Sequence, residues 1–184
     1  MDGMMKMFLD EDPELFDIEK CKANGLWPKE YLASNELIPY VKRLRGPIIG
    51  IQIGIFKGET TYTLLEECPN IEFMYGVDLF DSKLEKEIAE KNLADFVYKG
   101  RYSSDPIYLM SMPYMLDFIF INTDRNFKYT LEKYFPRLKK GGIIAGSSYE
   151  KKEIRIAISE FRREHHAMMP INVTKMNNAW FWYK

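Results

Sequence analysis

A mostly parallel, seven-stranded α/β sheet with helices on both faces and an antiparallel hairpin at its carboxyl end is the fold class this sequence predicts. Three observations carry it. Apolar, strand-sized runs alternate with helix-patterned segments from residue 48 to about residue 146, the pattern of parallel strands joined by right-handed crossovers. Residues 47–81, PIIGIQIGIFKGETTYTLLEECPNIEFMYGVDLFD, place an apolar run, two glycines, a helical segment, a second apolar run and an aspartate in the order that opens a nucleotide-binding unit. The chain then closes on INVTKM, an Asn177-Asn178 turn and AWFWYK, two strands of a hairpin.

Taken in order, Asp12 and Pro13 form a helix-starting pair and Gly25 a helix stop, so residues 13–24 are expected to be a short helix. Ser34 is placed to cap a second helix with Leu37, Ile38, Val41 and Leu44 as its apolar stripe, stopped by Gly46-Pro47. Between them, Trp27 and Tyr31 either pack these helices onto the sheet or form a lid. Residues 1–46 thus read as a helical cap on an α/β domain spanning 47–184.

The first strand covers Ile48 to Ile53. It turns at Gly54, where a missing Cβ lets the backbone approach a ligand, and Gly58 opens a helix with Thr61, Leu64, Leu65 and Cys68 on one face. Asp78 ends the second strand. Ser82 and Glu85 have capping-box spacing and start a third helix. Phe96 to Tyr98 reads as a short strand before the polar loop KGRYSSDP. Leu116 to Ile121, LDFIFI, is a buried strand that breaks into the polar NTDRN. A helix is expected from Phe127 to Leu138, a buried strand from Ile143 to Gly146, and an amphipathic helix with Ile154, Ala157, Ile158 and Phe161 inward.

Composition narrows the class of partner. With 184 residues, 46 % of them hydrophobic, the chain is large enough for one real core. A net charge of −1 gives no support to nucleic acid or an anionic membrane as the dominant partner. No apolar run reaches membrane-spanning length, and no signal peptide is expected. Cys21 and Cys68 lie far apart with no metal spacing, which points to a reducing, cytoplasmic setting.

The ordered set of Gly54 and Gly58, Asp78, Gly141-Gly142 and the closing hairpin resembles the class I S-adenosylmethionine-dependent methyltransferases. The likeness is greatest to a compact branch that includes O-methyltransferases of sugars and other small molecules. That branch opens on Glu-Ile-Gly, three residues, Gly, one residue and Ser-Thr, where this chain has Gln52-Ile53-Gly54, Gly58 and Thr60-Thr61. Its fourth strand ends Ile-Asp-Gly-Asp-His, against Ile121-Asn122-Thr123-Asp124-Arg125 here, and its fifth ends Gly-His-Asp-Tyr, against Gly146-Ser147-Ser148-Tyr149. The resemblance implies the Rossmann-like methyltransferase fold and S-adenosylmethionine as cofactor. It implies a cofactor site at Gln52, Gly54, Gly58, Asp78 and Asn122, with Gly100, Tyr102 and Ser103 near the adenine.

The departures bear on chemistry. Where the branch supplies metal-binding carboxylates and a histidine base, this chain has Asn122, Ser148 and Arg125. Neutral amides and hydroxyls hold Mg²⁺ poorly, and arginine takes up no proton near neutral pH. No metal is therefore expected. Asp124 and Tyr149 are the remaining candidates for proton transfer or acceptor positioning, each also readable as an ordinary hydrogen-bonded loop residue. Asp78 likewise reads as a ribose partner or as a plain strand-end acid. His165 and His166 fit the carboxyl end of a helix and stay outside the site. Function is then expected to be methyl transfer, without a metal, to a small hydroxylated or amino acceptor, sugars included. Two other readings stay open: a catalytically silent relative that binds a protein partner, and a nicotinamide-dependent oxidoreductase, whose fingerprint normally carries a third glycine that is missing here.

Overall fold

The computed structural model describes residues 18–23, 32, 34–110 and 115–184. Seven strands form one sheet in the order β3-β2-β1-β4-β5-β7-β6. They are β1 (Ile48–Ile53), β2 (Ile71–Val77), β3 (Tyr102–Ser103), β4 (Leu116–Ile121), β5 (Leu138–Gly146), β6 (Asn172–Val173) and β7 (Trp180–Tyr183). The first five run parallel, while β7 pairs antiparallel with both β5 and β6. Sequence alternation and topology agree.

Side-chain alternation along each strand divides the core in two. Phe118 and Phe120 of β4, Ile143 of β5 and Phe181 of β7 face one side. There they meet α1 (Ile18–Ala23), α2 (Ile38–Val41), α3 (Glu59–Glu67) and α4 (Lys83–Tyr98). Ile119, Ile121, Ile144, Trp180 and Trp182 face the other. That side carries α6 (Phe127–Tyr134) and α7 (Lys152–Glu164), and the short α5 (Pro106–Met110) adds Leu109. Full burial of each large apolar side chain stabilises by about 1.5–3 kcal/mol. The period of two along the strands therefore fixes which helix covers which face.

Several local expectations need correction. Phe96 to Tyr98 is the last turn of α4, not a strand. Phe96 continues the buried face of Ala89 and Leu93, while Val97 and Tyr98 point outward. Gly100, at φ +66°, closes this helix: its N–H donates to Val97 O, and the Arg101 N–H donates to Phe96 O. Those two bonds form a Schellman stop. The helix from Phe127 ends at Tyr134, passes through a 3₁₀ turn at Phe135–Arg137, and β5 begins at Leu138, earlier than expected. Ser34 precedes a 3₁₀ turn leading into α2, but its hydroxyl makes no capping bond and is buried without a partner among the described residues. Its helix stops at Val41, short of Gly46-Pro47. The Ser82–Glu85 cap forms as expected, the Glu85 N–H donating to Ser82 Oγ at 3.1 Å.

The 13–24 helix is described only as Ile18–Ala23. Its proposed cap at Asp12-Pro13 and its stop at Gly25, together with Trp27 and Tyr31, lie outside the described residues.

Candidate functional site

The strand order reverses between β1 and β4, and a cleft of about 470 Å³ opens there, at the carboxyl ends of β1, β2 and β4. Crevices at such switch points are where open α/β sheets bind ligands. Ile53 and Gly54, Val77 and Asp78, and Thr123 to Asn126 supply the strand ends. The wall is completed by Asp81 and Glu85 on one side and by Tyr129, Thr130, Lys133 and Tyr134 of α6 on the other.

The glycine turn is built by its neighbours. Gly54 has φ +87°, and a Cβ there would lie 2.4 Å from the Asn122 carbonyl oxygen. Its N–H donates to Val77 O at 2.8 Å, and the Asn122 N–H donates to Ile53 O at 2.7 Å, so both adjacent strands grip the end of β1. Gln52 is fully buried beneath the turn. Its Nε2 donates to Gly54 O at 2.8 Å, and its Oε1 accepts from the Thr61 hydroxyl at 3.0 Å. The amide thus ties the turn to α3. Gly58, at φ +91°, sits against Leu93 as the cap of α3.

Asp78 is the second brace. Its Oδ2 accepts the N–H groups of Ile55 and Phe56 at 2.5 and 2.9 Å, and its Oδ1 accepts that of Phe80 at 2.7 Å. A carboxylate has about four lone-pair sites and three are taken, so capacity for about one more donor remains. Phe56 is held at φ +53°, a conformation non-glycine residues adopt sparingly.

The other expected site residues divide by position. Asn122 lies at the end of β4, where its Oδ1 accepts from the Ser147 hydroxyl at 2.8 Å and so links the ends of β4 and β5. Tyr102 is buried under β2, its hydroxyl 2.2 Å from where a Cβ of Gly76 would lie, and burial pushes its pKa up to about 12. With Phe80, Leu93 and Ser104 it lines a second hollow, of about 440 Å³, outside α4. Ser103 accepts the Asp105 N–H in a local turn. Gly100 stands before β3, at the amino end of the sheet, and its geometry serves the helix stop described above. Tyr149 is half-buried against the second core and outside the cleft wall, its backbone N–H bonded to Asn178 O.

Asp124 does face the cleft, and Lys151 at 2.7 Å, by hydrogen bond and charge, holds its carboxyl below the usual carboxylate range. The group is therefore ionised at neutral pH and a weak proton acceptor, suited to orienting a donor rather than to taking its proton. Because the folded-state pKa is depressed, the pair stabilises the fold above the ordinary carboxylate pKa. That contribution disappears as pH falls through the lowered value. Both side chains are about half exposed, so it stays under about 1 kcal/mol. In Lys151→Met, the Asp124 titration followed by carbon-detected NMR is expected to move up toward the ordinary carboxylate range. An unmoved titration would show that Lys151 is not the cause.

Arg125 pairs with Asp81 at 2.7 Å, joining the loop after β4 to the segment before α4 beside the cleft. The sequence reading missed the α6 wall. Asn126, Tyr129, Thr130 and Lys133 fall at spacings of three, four and seven on a helix that starts at a strand end, which was the available signal. Among the described residues, no three His, Cys, Asp or Glu side chains gather as a metal site. No described helix is long and apolar enough to cross a membrane.

No protein-family model and no curated protein matches the sequence. Solved structures do match in shape. An O-methyltransferase from Bacillus cereus in complex with SAH superposes with a TM-score of 0.61 at 16 % identity, over 96 % of this chain and 93 % of that one. A precorrin-6y C5,15-methyltransferase from Geobacter metallireducens gives 0.60 at 16 % identity, over 85 % and 93 %. A precorrin-8w decarboxylase from Methanobacterium thermoautotrophicum gives 0.57 at 17 % identity, over 80 % and 87 %. Identities this low show the fold, which is the Rossmann-like methyltransferase fold. One fold carries several chemistries, so activity has to be argued from the site.

Proposed function

We propose that this chain is an S-adenosylmethionine-dependent methyltransferase that acts without a metal on a small hydroxylated or amino acceptor, with sugars among the candidates. The observation that carries this reading is the switch-point cleft, in which a Gln52-braced Gly54 turn and the Asp78 carboxylate meet.

The donor set suits the cofactor. Asp78, Asp81, Glu85 and Asp124 outnumber Arg125 and Lys133 in the cleft wall, a balance that favours a ligand with sulfonium and ammonium charges. Asp78 would receive the ribose hydroxyls, with Gly54, Gly58 and Asn122 framing the turn and Gln52 holding it from beneath. Tyr102 and Ser103 remain the candidates nearest the adenine. The cofactor supplies an activated methyl group, so the chain's own task is to hold an acceptor in line and keep water out. Asp124, fixed by Lys151, is the proposed positioning group for the acceptor's hydroxyl or amino hydrogens. Tyr149, outside the cleft wall, is the weaker candidate. An amine acceptor that loses its proton to solvent before transfer would need no protein base.

Calorimetry with S-adenosylmethionine and its demethylated product is expected to show one-site binding with Kd below about 1 mM. The absence of binding for both would end the proposal. Saturable binding without transfer of labelled methyl to any metabolite fraction would favour the silent-relative reading, motivated by Asn122, Arg125 and Ser148.

A further inference from the structure

We propose that a third hollow, at the opposite end of the sheet from the cleft, binds a small phosphoryl-bearing ligand. This hollow of about 360 Å³ lies between the end of α2, the start of β4 and the first half of β5. One length of β1, roughly 20 Å, separates it from the cleft. Its wall carries Arg43, Arg45, Lys139 and Lys140 against the single carboxylate of Asp117. That carboxylate is already engaged: it accepts the Ile49 N–H at 2.9 Å and holds Lys139 at 2.8 Å. Among the described residues, Arg43, Arg45 and Lys140 have no carboxylate partner, and all three are exposed.

Cations elsewhere on the molecule are commonly paired, as in Lys22–Glu66, Lys42–Glu67, Lys86–Glu90 and Lys128–Glu164. A chain of net charge −1 that gathers four cations around one concavity creates a local positive potential which its overall charge does not reveal. The backbone is bent to do so. Two steps along β4, Leu116 to Phe118, correspond to five along β5, Leu138 to Ile143, so Lys139 to Gly142 bulge out of the ladder and rim the hollow. Bulges re-aim side chains, and this one, with Gly141 at φ +82°, puts two consecutive lysines at the rim.

The remaining walls narrow the ligand. Tyr40 and Tyr183 line the hollow beside these cations, and Tyr40 is steadied by Phe181 at 4.4 Å between ring centroids. Guanidinium forks bind phosphoryl oxygens in bidentate fashion, and aromatic walls accept a flat organic group. The volume suits a ligand no larger than a mononucleotide or a sugar phosphate.

The test uses the full chain in calorimetric titrations with inorganic phosphate, pyrophosphate and AMP at low salt. Saturable binding of pyrophosphate or AMP is expected, tighter than phosphate, and weakened at least about 10-fold in Arg43→Gln/Arg45→Gln/Lys140→Gln, equivalent to about 1.4 kcal/mol. S-adenosylhomocysteine is expected neither to compete with it nor to bind differently to the variant. Should the triple variant fold poorly, Lys140→Glu alone is expected to weaken pyrophosphate more than Lys133→Glu in the cleft. No saturable binding at about 10 mM, affinity unchanged in the variants, or displacement by S-adenosylhomocysteine would each overturn the proposal. A single-stranded oligonucleotide binding far more tightly than AMP would also overturn it, in favour of a nucleic-acid surface.

Discussion

Gly54→Ala is expected to cost about 2–4 kcal/mol of stability and to weaken S-adenosylhomocysteine binding at least about 10-fold. Two penalties combine. At φ +87° a side chain brings the strain of the left-handed region, about 1–2 kcal/mol. The new Cβ also falls 2.4 Å from the Asn122 oxygen and 2.7 Å from its carbonyl carbon, both backbone atoms. That backbone cannot withdraw cheaply, because Asn122 N is bonded to Ile53 O. Relief must come from displacing the turn itself, and with it the floor of the cleft. For a chain of this size the melting temperature is expected to fall by about 5–15 °C. Gly46→Ala is the control: its φ is +75°, but nothing lies within 4 Å of the added Cβ. Thermal melts showing equal losses for the two variants would remove the close approach as the reason for glycine at position 54.

Asp78→Ala is expected to show the next largest effect, about 2–4 kcal/mol, because three backbone N–H groups lose a charged acceptor together. Water can reach the exposed Phe56 N–H, so the loss is less than the full sum. Asp78→Asn separates bracing from ligand contact. Its single carbonyl oxygen can still serve Ile55 and Phe56, while its amide faces the Phe80 N–H as a second donor. If Asp78 receives ribose hydroxyls, Asp78→Asn keeps most of the stability in a denaturant titration yet loses at least about 10-fold in cofactor affinity. Parallel losses in both measurements would leave Asp78 as a brace alone.

The amide at position 52 shows how a departure in sequence is absorbed. Gln52 stands where the resemblance leads one to expect an acid, yet it is fully buried and both ends of its amide are bonded, to Gly54 O and Thr61 Oγ1. A carboxylate could accept from Thr61 but has no proton to donate to Gly54 O, so this turn is built for an amide. Three of the rewritten positions after β4 and β5 behave alike: Asn122 and Ser147 bond one another, and Arg125 bonds Asp81. Each of these three has a partner on another element, which ties the loops together.

The errors in local structure have a common cause. Three consecutive residues such as Phe96-Val97-Tyr98 are too few to tell a strand from a helix end, and only the packing of Phe96 beside Leu93 decides it. Likewise, the Lys139 to Gly142 bulge depends on register between two strands whose paired residues lie 22 or more positions apart in the chain, which no local pattern encodes.

By itself, the sequence determined the strand–helix alternation around β1, β2, β4 and β5 and the turn glycines at 54 and 58, because these follow from apolar runs, a period of 3.6 and the absence of a Cβ. It also showed that residues 122, 125 and 148 are not the carboxylates and histidine that the resemblance leads one to expect. The tertiary structure alone decided what Asp78 holds, that Asp124 faces the cleft while Tyr149 packs against the core, and that α6 supplies a wall. It alone gathered Arg43, Arg45 and Lys140 around one hollow, from segments almost a hundred residues apart. Contacts of that kind depend on the positions of strand ends in space, and those are set only when the whole sheet closes on its two cores.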